Sequence, residues 1–137
     1  MESKQEMGSN SRKKTVAIDL DGTLAEYHGW RNGDPNLIGN PRPGAIAFVY
    51  FLHGICKWEI WVFSARAGTE DSRKTIWEWL ESHRLDQCIS GVTTAKSPEF
   101  DLFIDDRAIS FEGQFDTTFL KKVLEFRAYW EEQFPKI

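Results

Sequence analysis

Apolar positions along this chain follow two rhythms: short unbroken runs, and longer stretches with one apolar stripe. Residues 15–21, Thr-Val-Ala-Ile-Asp-Leu-Asp, form a run of β-branched and aliphatic residues ending in acids and followed by Gly22-Thr23. Such a run predicts a strand of a parallel sheet, because a strand covered on both faces loses the apolar–polar alternation. Residues 58–64 (Trp-Glu-Ile-Trp-Val-Phe-Ser) and 100–105 (Phe-Asp-Leu-Phe-Ile-Asp) predict two more strands, and 89–94 a weaker one. Helical spacing appears first after Pro43, where Ala45, Phe48, Val49 and Leu52 share a stripe and Gly54 is placed to stop it. Glu70 and Asp71 suit the first turn of a second helix carrying Ile76, Trp79, Leu80 and His83. A third amphipathic helix is predicted to hold Phe119, Val123, Phe126 and Trp130 and to end before Pro135.

Strands alternate with helices, so the expected fold is α/β: a doubly wound, Rossmann-like parallel sheet with helices on both faces and right-handed crossovers. Between the first strand and first helix, residues 25–43 contain Gly29, Gly33, Pro35, Gly39, Pro41 and Pro43. They predict a long irregular loop, and loops of that length in a compact domain usually serve function.

Composition narrows this picture. A chain of 137 residues, 41% hydrophobic, fits one domain with a real core, expected over 15–137 behind a polar, flexible tail at 1–14. Seventeen basic residues against 21 acidic ones give a net charge of −4, which disfavours a surface for gripping long nucleic acids. A local basic pocket for one phosphate remains compatible with it. Cys56 and Cys88 are too few for a disulfide scaffold and read as buried free thiols. No apolar run approaches the ~18 residues that span a bilayer, and the tail has no apolar segment to act as a secretion signal. The expected compartment is the cytoplasm, without membrane contact.

The chemistry gathers where strands end. Open parallel sheets bind ligands at the carboxyl ends of their strands. There the pattern places Asp19 and Asp21, then Ser64, then Asp105 and Asp106, with Lys96 in the loop before the last strand. Four carboxylates at one rim repel unless a cation sits among them, and oxygen donors of this kind suit Mg²⁺. An Asx-type turn would explain Asp19 and Asp21 only by putting two acids around Leu20 at a buried strand end. Ser64 alone is also what a helix cap looks like, and Asp106 can cap a following helix as well. Trp58, Trp61, Trp79 and Trp130 are expected in the core, whereas Trp30 stands in the glycine-rich loop beside His28 and Arg31, where it could stack on a base or sugar. None of His28, His53 and His83 has a ligand-like neighbour, and Arg107 reads as structural.

Asp19-Leu20-Asp21-Gly22-Thr23-Leu24, Ser64, Lys96 and Asp105-Asp106, in this order, resemble the four motifs of the haloacid dehalogenase (HAD) superfamily. Pro-Gly-Ala-Ile (43–46), Ser-Ala-Arg (64–66) and Phe-Ile-Asp-Asp-Arg (103–107) are similar to small phosphatase-like members from bacteria and phages. The resemblance implies an Mg²⁺-dependent phosphomonoesterase with Asp19 as nucleophile and Asp21 as general acid and base. It implies phosphoryl contacts from Ser64, Lys96 and the backbone of Gly22 and Thr23, with Arg66 either binding substrate or pairing with a carboxylate. Asp19, the Asp21 carbonyl and Asp105 would hold the cation, and Asp106 would do so directly or through water. One departure stands out: Lys96 precedes Asp101 by five positions, where many relatives have four.

Asp21 and Ser64 are 43 positions apart and Ser64 and Lys96 are 32, gaps already filled by expected elements. A HAD-like domain without a cap, with an open site, follows. The expected substrate is a small or exposed phosphate ester, a polynucleotide end included. The competing reading is a catalytically silent phosphate- or nucleotide-binding module. A signalling receiver domain would place its adjacent acids after the first strand, and here that pair comes last.

Overall fold

The computed structural model describes residues 13–27 and 37–131. Its centre is a four-stranded sheet of β1 (Thr15–Asp19), β2 (Glu59–Phe63), β3 (Gly91–Thr93) and β4 (Leu102–Ile104), in the order β3-β2-β1-β4. All three pairings are parallel, with Val16 opposite both Ile60 and Leu102 and Val62 opposite Val92. An α/β fold with a parallel sheet is therefore what the chain adopts. Val16, Ala17 and Ile18 are all buried, which accounts for the missing alternation in β1. β3 and β4 are shorter than the apolar runs containing them. Before β4, Asp101 donates its N–H to the Thr15 carbonyl at 2.7 Å and receives the Thr15 N–H on its carboxylate at 2.8 Å. The Lys14 carbonyl is also engaged, accepting from Glu59 N–H at 2.9 Å.

One sheet face carries the main core. Val16, Ile18, Ile60 and Val62 cluster with Val49 and Leu52 after the long loop, and with Ile76 and Leu80 of a second helix. The first of these helices, α1 (Ala45–Tyr50), widens into a π-helix at Phe51–Ile55. Gly54 lies inside that turn and does not stop the helix. The left-handed position falls instead on Lys57, at φ 63°. Burial follows Ala45, Val49 and Leu52, while Phe48 at the stripe's edge is 46% exposed. In α2 (Glu70–Ser82), Thr69 caps the first turn by accepting from Ser72 N–H at 3.1 Å, and Glu70 and Asp71 follow it. Ile76, Trp79 and Leu80 are buried as expected, and the Trp79 indole donates to the Gly39 carbonyl at 2.8 Å, pinning the end of the long loop.

Register puts Ala17, Trp61 and Phe103 on the opposite face. There Trp61, Phe63, Phe100 and Phe103 form an aromatic layer with centroids 5.7–5.8 Å apart. A Cβ on Gly91 would enter the Trp61 ring, so this buried strand position has room only for glycine. Trp58 and Trp61 are half-buried and Trp79 and Trp130 buried, so two of the four tryptophans expected in the core lie at its edge.

The largest departure concerns the last helix. α3 (Thr117–Glu125) is capped by Asp116, but it buries no residue; Leu120, Val123 and Leu124 are exposed. It stops at Glu125, and Phe126 turns away with extended backbone. Trp130 therefore lies on no helical stripe. It sits in a turn that buries it together with Ala128. Cys56 is half-buried and Cys88 buried, both as free thiols, and burial with nearby Asp86 pushes the Cys88 thiol up. No helix among the described residues is long and apolar enough to cross a membrane.

Candidate functional site

Parallel strands present all their carboxyl ends at one rim, so residues far apart in sequence meet there without further folding rules. Asp19 ends β1, Ser64 follows β2, and Asp105 and Asp106 follow β4. One carboxylate oxygen each from Asp19, Asp105 and Asp106 lies within 4.8 Å of the others. After Asp19 the chain folds back on itself. Gly22 N–H donates to the Ala25 carbonyl at 2.8 Å, Thr23 N–H to Leu20 at 3.2 Å and Ala25 N–H to Leu20 at 2.9 Å. This turn needs the left-handed backbone of Gly22, at φ 90°. It also needs an absent Cβ, which would overlap the Asp106 carboxylate and come within 3.1 Å of the Trp130 indole nitrogen.

The turn aims its side chains at the acids. The Thr23 hydroxyl lies 3.3 Å from both Asp19 Oδ2 and Asp106 Oδ1, and its single proton serves one at a time. The Trp130 indole N–H donates a short hydrogen bond to Asp106 Oδ2. Burial, the hydrogen bond with Asp106, and the charges of Asp105, Asp106 and Asp21 push the Asp19 carboxyl up from 3.8 to about 8. Burial also disfavours charge on Asp106, but hydrogen bonds from Asp19 and Trp130 outweigh it and hold that carboxyl below its usual range. Without a cation, the pair keeps one proton on Asp19 and donates it to Asp106. An all-oxygen set with uncompensated negative charge fits a hard divalent cation, which would displace that proton.

A stability prediction follows from the proton. Between pH ~4 and ~8 the folded chain holds a proton on Asp19 that the unfolded chain has released, so metal-free stability is greatest below that window and falls as pH rises through it. The slope is at most ~1.4 kcal/mol per pH unit for one proton. Urea midpoints measured in chelator at pH 5 and 7.5 should differ in this sense, and Asp19→Asn should remove the difference. Equal wild-type midpoints contradict the shared proton.

The remaining expected site residues divide. Asp21 does not join the carboxylate cluster with its side chain: its Oδ2 accepts from Arg66 Nε at 2.6 Å, with both side chains largely buried. Of the two roles open to Arg66, carboxylate pairing is the one the structure forms. The same guanidinium donates through Nη2 to the Leu37 carbonyl at 2.8 Å, tying the end of the long loop to Asp21. Ser64 is buried, and its Oγ caps the 3-10 turn Ala65–Gly68 by accepting from Arg66 N–H at 3.1 Å. The hydroxyl proton is left for another acceptor. Gly22 and Thr23 spend their backbone N–H groups inside the turn, so in this conformation Thr23 faces the site through its hydroxyl instead. Lys96 is exposed, with its ammonium 5.2 Å from the Phe103 ring centroid, and among the described residues it forms no ion pair with the carboxylates. The longer spacing before Asp101 accompanies this displacement. Trp30, with His28 and Arg31, lies outside the described residues.

Two residues near the acids had no sequence signal as site residues. Trp130 was readable only as part of a helical stripe. Tyr129, whose hydroxyl donates to the Gly22 carbonyl at 2.5 Å, resembles any surface tyrosine in sequence.

No protein-family model and no curated protein matches the chain. Among solved structures, a conserved protein from Bacteroides thetaiotaomicron is similar in fold, with a TM-score of 0.54 at 24% identity. The match covers 82% of this chain and 90% of that one, and at this identity it speaks to fold alone.

Proposed function

We propose that this chain is an Mg²⁺-dependent phosphomonoesterase of the HAD type, with a doubly wound domain and no cap, working through an aspartyl-phosphate. The observation that carries this reading is the meeting of Asp19, Asp105 and Asp106 at the carboxyl rim, with Asp21 two residues beyond Asp19 on a self-bonded turn. Asp19, Asp105 and Asp106 would hold the cation, joined by the carbonyl oxygen of Asp21, an atom independent of the Arg66 pair. Mg²⁺ supplies charge that keeps Asp19 ionised and offsets the negative charge of a phosphoryl group.

Asp19 then attacks phosphorus through a carboxylate oxygen, and the ester oxygen leaves with a proton from Asp21. Asp21 next takes a proton from water as that water attacks the acyl phosphate, releasing inorganic phosphate and restoring Asp19. Help of this kind from a positioned acid and base is worth ~10²–10⁴-fold. Arg66 holds Asp21 in place through one oxygen and couples it to the loop at Leu37. Ser64 offers its hydroxyl proton to a phosphoryl oxygen. Lys96 adds its charge only by leaving the Phe103 ring, a swing its four-carbon stem permits.

The absence of a cap rests on what fills the motif gaps. α1 and β2 lie between Asp21 and Ser64, and α2 and β3 between Ser64 and Lys96. Access is then governed by the 25–43 loop, and a small or exposed phosphate ester fits such a site.

A silent phosphate- or nucleotide-binding module is the second reading, favoured by the Arg66 pair that engages the carboxylate of Asp21, the acid–base group of the active reading. Hydrolysis separates the two. Purified protein with Mg²⁺ should cleave p-nitrophenyl phosphate and members of a phosphate-ester panel, and Asp105→Asn should raise the Mg²⁺ concentration for half-maximal rate by ~10-fold or more. Wild-type inactivity across the panel selects the silent module, and unchanged metal dependence removes Asp105 from the ligands.

A further inference from the structure

After α3 the chain makes a tight turn closed by two hydrogen bonds, from Glu131 N–H to the Ala128 carbonyl at 3.0 Å and from Ala128 N–H to the Glu131 carboxylate at 3.0 Å. This turn sets Tyr129 on the Gly22 carbonyl and the Trp130 indole on Asp106. Trp130 is 4% exposed, with Tyr27 at a centroid distance of 4.5 Å and the Arg107 guanidinium 5.9 Å from its ring. Packing thus fixes the plane of the indole, and the N–H vector with it. That vector ends on Asp106 Oδ2. A buried indole N–H needs an acceptor, and the one it takes here is an oxygen of a carboxylate in the cluster of three.

The consequence lies in which oxygen of Asp106 remains available. Oδ2 accepts from the indole, while Oδ1 lies 3.3 Å from the Thr23 hydroxyl, which also reaches Asp19 Oδ2. Asp106 is thereby held with Oδ1 turned toward the space between the acids. Gly22 completes the arrangement, because any side chain there would displace both Asp106 and Trp130.

We infer that Trp130 is a positioning residue of the metal site, whose indole N–H fixes Asp106 so that its second oxygen faces the cation directly or through water. This deepens the preceding proposal and rests on its cation. Groups that orient metal ligands in this way are worth ~10–100-fold in metal affinity.

Calorimetric titration of the full chain with Mn²⁺ reads that affinity without turnover. Trp130→Phe keeps a ring packed against Tyr27 but loses the N–H, and should weaken Mn²⁺ binding by ~10-fold or more. Trp130→His keeps a ring N–H and should recover part of the loss. Glu131→Gln, which weakens the hydrogen bond closing the same turn without touching the acids, should bind within about twofold of wild type if the effect belongs to Asp106 and not to the turn. Equal binding by wild type and Trp130→Phe overturns the inference and leaves the metal site standing. Equal losses in Trp130→Phe and Glu131→Gln overturn it too, as general loosening of the turn. A wild-type chain that binds no Mn²⁺ defeats the metal reading itself, and this inference with it. Should Trp130→Phe not fold, indole N–H signals of ¹⁵N-labelled wild type titrated with Mg²⁺ decide: one must shift as the site fills, and unmoved signals overturn the inference.

Discussion

Replacing Asp19 by Asn is expected to abolish phosphomonoester hydrolysis, lowering kcat/KM by ~10⁴-fold or more, equivalent to about 5.5 kcal/mol of transition-state stabilisation. The amide has almost the shape of the carboxylate, so folding is little disturbed. What it lacks is the anionic oxygen that would form the bond to phosphorus, and one of three charges in the cation cluster. Removing that charge also ends the repulsion that pushes the Asp19 carboxyl up to about 8. The variant should therefore be at least as stable as wild type above neutral pH while being inactive. Steady-state kinetics and urea denaturation on the same preparations test both halves. Residual activity within 100-fold of wild type would remove Asp19 from the nucleophile's role, whatever its stability.

Gly22→Ala should produce the second large effect, by geometry alone. Its backbone φ of 90° costs a residue with a Cβ roughly 1–3 kcal/mol. The added methyl would also collide with the Asp106 carboxylate and crowd the Trp130 indole, and overpacking of this kind costs roughly another 1–3 kcal/mol. Relief requires Asp106 to move, so the loss should reach function as well as folding. We expect a lowered urea midpoint together with an Mg²⁺ requirement raised at least as far as by Asp105→Asn. A variant with lowered stability but wild-type metal dependence would show that Asp106 can yield without consequence, and that its orientation does not matter to the cation.

The rim of acids was legible in sequence because two local rules converge there. Apolar runs at 15–18 and 102–104 mark strands, the first buried and the second half-buried at the sheet edge, and each run ends directly in carboxylates. Once the strands are parallel, their ends share an edge, and Asp19, Asp105 and Asp106 meet without any long-range detail being known. The α2 stripe was legible for the same kind of reason: Glu70 and Asp71 stand in its first turn, and Ile76, Trp79 and Leu80 follow one face. Where local rules mislead, a distant partner outweighs the period. Phe119, Val123, Phe126 and Trp130 keep helical spacing, yet the chain leaves the helix at Phe126 and Trp130 turns to Asp106. A periodic pattern records which residues could share a face, and not whether a stronger contact elsewhere claims one of them.

The partners of single polar atoms were beyond the sequence. Ser64 reads equally as a phosphate ligand and as a cap, and here it caps with the oxygen while keeping its proton. Arg66 reads equally as a substrate ligand and as a partner for an acid, and its 2.6 Å contact with Asp21 spans 45 positions, a pairing no local pattern encodes. By itself the sequence determined the strands, the first two helices, the parallel sheet and three of the acids at its carboxyl rim, because these depend on apolar patterns along short segments; no helix stands between β3 and β4. Only the tertiary structure decided that burial and neighbouring acids push the Asp19 carboxyl up, that Asp21 is held by Arg66, that Lys96 rests on Phe103, and that the Trp130 indole donates to Asp106. Each of those depends on hydrogen-bond directions and ångström distances between segments, which periodicity along the chain does not carry.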